Sequence, residues 1–204
     1  MNMLDFGYFL GKVFFETVFL FYRRKISGKE KVPQNKGFIL ACNHISYLDA
    51  PLLGCNLFPR PIHWIIAKWV YTRWFFRPLC IVSRCVPVNG STKYAQAILD
   101  GGGIVGIFPE GCVVCSKQIQ KGRHGVAVLA LKTGAPVVPC YIEAELYSLK
   151  RQNIVPKFFR PIKVTYGAPL YFERYPADLI PEDVLNEAVA KIINAINALG
   201  QASA

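Results

Sequence analysis

The chain has 204 residues, enough for one domain with a substantial core and too few for a second full one. Apolar residues make up 52%, and 24 Lys and Arg against 13 Asp and Glu leave a formal charge of +11. Such a charge fits nucleic acid or an anionic membrane surface. The mean hydropathy of +0.27, with no nucleic-acid module in the sequence, excludes the first and points to lipid.

Residues 3–22 are mostly apolar and aromatic and run directly into Arg23-Arg24-Lys25. A cleaved leader carries its positive charge ahead of the apolar stretch, so this order predicts a segment that stays attached. Asp5, Lys12 and Glu16 interrupt it, and each ionised group at mid-bilayer would cost roughly 2.5 to 3.5 kcal/mol. Residues 1–24 are therefore read as an amphipathic helix lying in the membrane interface, with Lys12 and Glu16 paired and the basic triplet on headgroups. A core helix is the plainer alternative. Residues 25–204 form the predicted domain.

A basic connector leads to the turn at Pro33-Gln34-Asn35. Beyond it, short apolar runs predict strands at 37–42, 62–67, 85–88, 104–108, 137–142 and 162–166. They alternate with helices predicted at 50–57, 68–76, 92–99, 123–133 and 181–199. This alternation predicts a single α/β domain with a mixed, largely parallel sheet flanked by helices. Trp64, Trp69 and Trp74 interleave with Lys68, Arg73 and Arg77, a mixture that suits either a headgroup layer or ordinary core packing. In the last helix Val184, Leu185, Ala188, Val189, Ile192, Ile193 and Ile196 recur at three and four, which predicts one face packed on the domain.

Seven cysteines, several inside apolar runs, suit reduced thiols in a cytosol-facing protein. Cys112-Val113-Val114-Cys115 is a single CxxC without a second pair or zinc-spaced histidines, so no metal is assigned.

The chemistry concentrates in two segments, each at the end of an apolar run. In Asn43-His44-Ile45-Ser46-Tyr47-Leu48-Asp49 the imidazole and carboxylate are five residues apart, about 140° out of phase on a uniform helix. If 43–48 form a loop and Asp49 opens the next helix, the carboxylate reaches back to one imidazole nitrogen and makes the other a general base. Alternatively Asp49 is only a helix cap. In Phe108-Pro109-Glu110-Gly111 the proline stops the strand and the glycine permits a sharp turn, which presents the acid at the sheet edge. No G-x-S-x-G elbow is present, so the base is expected to activate a substrate hydroxyl rather than an enzyme one.

Together the two segments, followed by Val137-Val138-Pro139, resemble in order and spacing three blocks of the glycerolipid acyltransferase family, which makes phosphatidic acid from lysophosphatidic acid. The resemblance covers about residues 25–145. It implies that His44 deprotonates the acceptor hydroxyl, Asp49 orients His44, and the hydroxyl attacks an acyl thioester on coenzyme A or acyl carrier protein, with no metal and no other cofactor. It further implies acceptor contacts from Asn43, Pro109, Glu110 and Gly111, and an acyl site shaped by Val137, Val138 and Pro139. The family usually continues its third block with Thr-Arg-Ser and ends its second in an arginine. Here the third continues Cys112-Val113-Val114, and Val86-Pro87-Val88-Asn89-Gly90 has no arginine. Arg84, Lys117, Lys121 and Arg123 are the candidates to hold a phosphate in their place. The expected protein is thus membrane-associated with its site facing the cytoplasm, and it handles no nucleic acid. A non-phosphate lyso-lipid acceptor and a non-catalytic lipid-binding protein are the rival readings.

Overall fold

Phe38–Cys42 is apolar and buried at every position, the pattern of a strand inside a sheet covered on both faces. In the computed structural model, which describes residues 3–202 except 73, 75–76, 88–90, 114–117, 145–146, 151–152, 157–158 and 177–178, this strand is the middle one of seven. The strands β1 (Arg23–Ser27), β2 (Phe38–Cys42), β3 (Ile62–Ile66), β4 (Val86–Pro87), β5 (Ile104–Ile107), β6 (Val137–Ala144) and β9 (Pro161–Tyr166) join in the order β1-β9-β6-β2-β5-β3-β4. Every neighbouring pair is parallel except β6 with β9, which is antiparallel. The sheet is mixed and mostly parallel, as the alternating pattern predicts.

Because side chains alternate across a strand, β2 feeds two cores. Phe38, Leu40 and Cys42 pack with α1 (Met3–Phe19) and α2 (Asp49–Leu57), represented by Phe19, Leu52 and Leu53. Ile39 and Ala41 pack on the other side with α5 (Ser91–Asp100), α6 (Gly125–Thr133) and α7 (Glu182–Gln201). The buried stripe of α7 is Ala188, Val189, Ile192, Ile193 and Ile196, as its spacing predicts. Parallel β2 and β5 end at the same edge, so the loops after Cys42 and Ile107 become neighbours there.

Several elements depart from the sequence expectation. The basic connector contains strand β1, paired in parallel with β9 at the sheet edge. Its largely exposed Arg-Arg-Lys-Ile-Ser lacks the apolar run that marks a central strand, and charge on an edge is how sheets discourage unwanted pairing. Of the helix expected at 68–76 the described part is α3 (Lys68–Thr72), with residues 73, 75 and 76 outside the described set, and a further helix, α4 (Arg77–Val82), was not expected. A separate antiparallel pair, β7 (Tyr147–Lys150) and β8 (Asn153–Pro156), was not expected.

Helix α1 is seated on the domain, with Phe19 fully buried in the α2-side core and Tyr22, just beyond its end, buried in the same cluster. Its opposite stripe is apolar and open, comprising Phe6, Phe9, Leu10, Val13 and Phe14, and Leu20 and Phe21 extend it. The charges that interrupt the run turn toward the protein. Asp5 pairs with Arg84, Glu16 pairs with Arg24 of β1 at 2.5 Å, and the Lys12 ammonium lies 5.2 Å from the centre of the Phe58 ring. Glu16 is therefore bound to Arg24, not to Lys12 as the four-residue spacing predicts. No helix among the described residues is long and apolar enough to cross a membrane.

Candidate active site

The β2 strand ends at Cys42, and Asn43 carries the ladder one step further with its side chain. Its amide nitrogen donates to the Ile142 carbonyl at 2.9 Å and its amide oxygen accepts the Ile142 N–H at 2.7 Å. Asn43 is 3% exposed and fully engaged. These two bonds tie the loop after β2 to β6.

The chain then turns through residues 44–48 and enters α2 at Asp49. Asp49 makes no cap to its own helix. Its Oδ2 instead reaches backwards, accepting the N–H groups of Ile45 and Ser46, each at 2.8 Å, and contacting His44 Nδ1 at 2.9 Å. An oxygen that already receives two N–H donors is acting as an acceptor, so Nδ1 carries a proton, and in the neutral ring Nε2 is the nitrogen with the free lone pair. The carboxylate is fully buried. Burial pushes its pKa up, and the hydrogen bonds from His44, Ser46 and Ile45 pull it back.

Glu110 arrives from the neighbouring strand. After β5 the chain folds into a turn closed by the Gly111 N–H donating to the Phe108 carbonyl at 3.0 Å. Gly111 has φ +71°, and a Cβ there would lie 2.5 Å from Arg123 Nε, so backbone freedom and close approach both require glycine. The turn aims Glu110 Oε1 at the backbone N–H of His44, 2.9 Å away. Burial raises the Glu110 pKa, and the His44 N–H lowers it. Acid and base are thereby locked together across two loops. Glu110 also lines a cleft of about 720 Å³ with Cys112, Gln118, Lys121, Arg123 and His124. Arg123 is exposed on that cleft while its backbone N–H donates to the Pro109 carbonyl at 2.8 Å. A second depression, about 460 Å³, is lined by Lys36, Gly37, Gly102 and Ala135, which precede strands, so it opens at the opposite sheet edge.

The family profile described as Acyltransferase matches residues 23–143, more than half of the chain, and that stretch contains His44, Asp49 and Glu110. The chain belongs to the acyltransferase family. A similar acyltransferase is the 1-acyl-sn-glycerol-3-phosphate acyltransferase of Bacillus subtilis, 33% identical over 121 residues, which cover 56% of this chain and 60% of that protein. The protein of the same name from Borreliella burgdorferi is 31% identical over 123 residues, covering 56% of this chain and 48% of the other. The chain thus spans about half to three fifths of the length of these relatives. In fold it is similar to the crystal structure of the 1-acyl-sn-glycerophosphate (LPA) acyltransferase PlsC from Thermotoga maritima, with a TM-score of 0.64 and 22% identity, covering 98% of this chain and 80% of that one.

The other residues singled out from the sequence are placed as follows. Glu110 and Arg123 line the cleft, and Pro109 and Gly111 lie against Arg123 in the turn beside it. Arg84 is engaged with Asp5. Lys117 and half of the CxxC lie outside the described residues. Val137, Val138 and Pro139 are consecutive buried residues of β6, with Val137 in the α7-side core and Val138 in the α2-side core. Adjacent residues of a strand face opposite sides, so Val137 and Pro139 share one face of β6 and Val138 takes the other. Among the three tryptophans, Trp64 is core at 3% exposure and Trp74 is 84% exposed. No described group of His, Cys, Asp and Glu side chains is arranged to hold a metal ion.

Two site residues escaped the sequence reading. The Phe108 ring lies flat on His44, with centroids 3.9 Å apart and planes at 11°. Trp64 lies flat on the far side of Phe108, at 4.7 Å and 5°. Phe108 stood in the motif, but its contact with Trp64 follows from the β3–β5 register, which pairs Trp64 with Gly106 two residues before Phe108.

Proposed function

We propose that this chain transfers an acyl group from a thioester to the free hydroxyl of a lysophospholipid, with 1-acyl-glycerol-3-phosphate as the acceptor and phosphatidic acid as the product. The observation that carries the reading is the orientation of His44: Nδ1 is tied to buried Asp49, and Nε2 is left as the base beside a carboxylate that opens on a cleft.

In the reaction, Nε2 takes the acceptor hydroxyl proton as the oxygen attacks the thioester carbonyl. Collapse of the tetrahedral intermediate breaks the C–S bond, and the leaving thiolate recovers the proton from the imidazolium. Asp49 stabilises that imidazolium. Glu110 uses Oε1 on the His44 N–H and offers its other oxygen to the glycerol hydroxyls. Arg123, with Lys121 beside it on the cleft, supplies the cation for the phosphate. The thioester is on coenzyme A or acyl carrier protein. The reading further places the enzyme on a membrane surface, its site facing the cytoplasm. What supports the surface contact is the open apolar stripe of α1, whose charges turn inward, together with the +11 charge.

The test offers the purified protein acyl-CoA with lysophosphatidate, lysophosphatidylethanolamine or a lyso-aminolipid, and reads products by mass spectrometry. Acylation of lysophosphatidate is the expected result. Acylation of only the other acceptors would replace the phosphate reading, and none with any acceptor or carrier would leave a lipid-binding protein.

A further inference from the structure

We propose that Phe108 and Trp64 are positioning residues for the catalytic base, forming a two-ring plate that holds the His44 imidazole in the plane where Nδ1 meets Asp49 and Nε2 faces the acceptor. The proposal takes the acyl-transfer reading of the dyad as given.

A single hydrogen bond at Nδ1 leaves the ring free to rock about that contact through small coupled changes at Cα–Cβ and Cβ–Cγ, and the rocking carries Nε2 away from the substrate. The Asp49 contact, at 2.9 Å, fixes one edge of the ring and not its tilt. The parallel face of Phe108, 3.9 Å from the His44 ring centre, blocks the tilt on that side because any rotation drives a ring edge into the plate. Phe108 sits just beyond β5, in a turn, where a side chain with nothing behind it would change rotamer. Trp64 supplies the backing from β3, at 4.7 Å and nearly coplanar. Space for the indole exists because position 106 is glycine: a Cβ there would lie 2.5 Å and 2.6 Å from two carbons of the Trp64 ring. With Leu40 paired to Gly106 and Gly106 to Trp64, the indole sits in the same cross-strand row as the core of β2. The plate is thus rooted in the sheet and ends on the base.

The test compares Phe108→Leu, which keeps apolar bulk and loses flatness, with Phe108→Tyr, which keeps the ring. Phe108→Leu is expected to lower kcat about tenfold to a hundredfold, with KM for both substrates changed by less than about twofold, and Phe108→Tyr to stay within about threefold of the parent. In nitrogen-15-labelled protein, the His44 Nδ1 proton should exchange with water at least about tenfold faster in Phe108→Leu, and at the parental rate in Phe108→Tyr. Trp64→Leu, which leaves Phe108 but removes its backing, should produce both changes in smaller measure. Parental kcat or parental proton exchange in Phe108→Leu would overturn the proposal, as would a loss that Phe108→Tyr fails to rescue. The exchange measurement needs no turnover. A protein that acylates nothing would sink the acyl-transfer reading, and proton exchange would still decide whether the plate holds the ring.

Discussion

His44 is constrained at three places: its backbone N–H by Glu110, its Nδ1 by Asp49 and its ring face by Phe108. A hydrogen bond to a charged group contributes about 1.5 to 3 kcal/mol, and an aromatic stack about 0.5 to 1.5 kcal/mol, so the carboxylate sets the tautomer and the plate refines the angle. His44→Ala should lower the acyl-transfer rate by at least about two orders of magnitude, the scale of general-base catalysis; initial-rate assays at saturating substrate check this. Arg123→Ala should raise KM for a phosphate-bearing acceptor roughly ten- to a hundredfold, the value of one charge-assisted contact, with kcat little changed. An unchanged KM would remove Arg123 from the acceptor site.

Glu110 offers a prediction in pH. Its folded-state pKa lies above the ordinary 4.5 because burial penalises the carboxylate. A raised carboxyl contributes stability that is fully present below the unfolded value and is lost as pH rises through the folded one. Glu110→Gln carries no charge at any pH, so its melting temperature should exceed the parent's at pH 7. The difference should close at about pH 3.5, where the carboxyl is protonated in both states. Activity should fall in the same variant. Paired thermal melts at the two pH values read the sign directly. The dyad and Glu110 were legible from local spacing, because a turn between His44 and Asp49 is a property of a few adjacent residues. The plate was not, since Trp64 and Phe108 meet only through strand register.

Helix α1 inverts the usual arrangement, with charge toward the protein and apolar side chains outward. Its two faces should therefore respond differently to substitution. Phe9→Ser with Phe14→Ser, on the open stripe, should weaken sedimentation with anionic vesicles and leave the melting temperature nearly unchanged. Phe19→Ala, in the core, should cost about 3 to 5 kcal/mol in denaturant unfolding. Vesicle binding that survives the double substitution would contradict the surface role. At this scale the apolar runs of β2, β5 and β6 announced themselves because a strand covered on both faces is apolar almost throughout, and β3 and β9 did so by alternating buried apolar residues with others. β1 did not, for its sequence is basic and its strand character comes from β9 beside it. Helix α4 was missed because Pro78, its second residue, reads as the end of one helix as readily as the start of another.

The whole molecule combines a +11 charge with one apolar stripe. Raising salt from about 0.1 M to about 1 M shortens the screening length from roughly 10 Å to roughly 3 Å. Affinity for anionic vesicles should then fall toward the level seen with neutral ones, which isolates the stripe's share; a salt-independent affinity would assign binding to the stripe alone. The sheet class was legible because strand and helix alternate along the chain, whereas the antiparallel entry of β9 depends on how the segment after β6 returns, which no local pattern encodes.

If α1 seats on a bilayer as proposed, one of its details has a physical outcome there. The Asp5–Arg84 and Glu16–Arg24 bridges are part-exposed at its seam with the domain, where water weakens them. Settling the outer stripe into lipid would drive water from that seam and lower the local dielectric, so each attraction would grow. Adsorption would then fasten the helix to its own domain more tightly, and the surface that pulls on α1 would be the one that keeps it from peeling away.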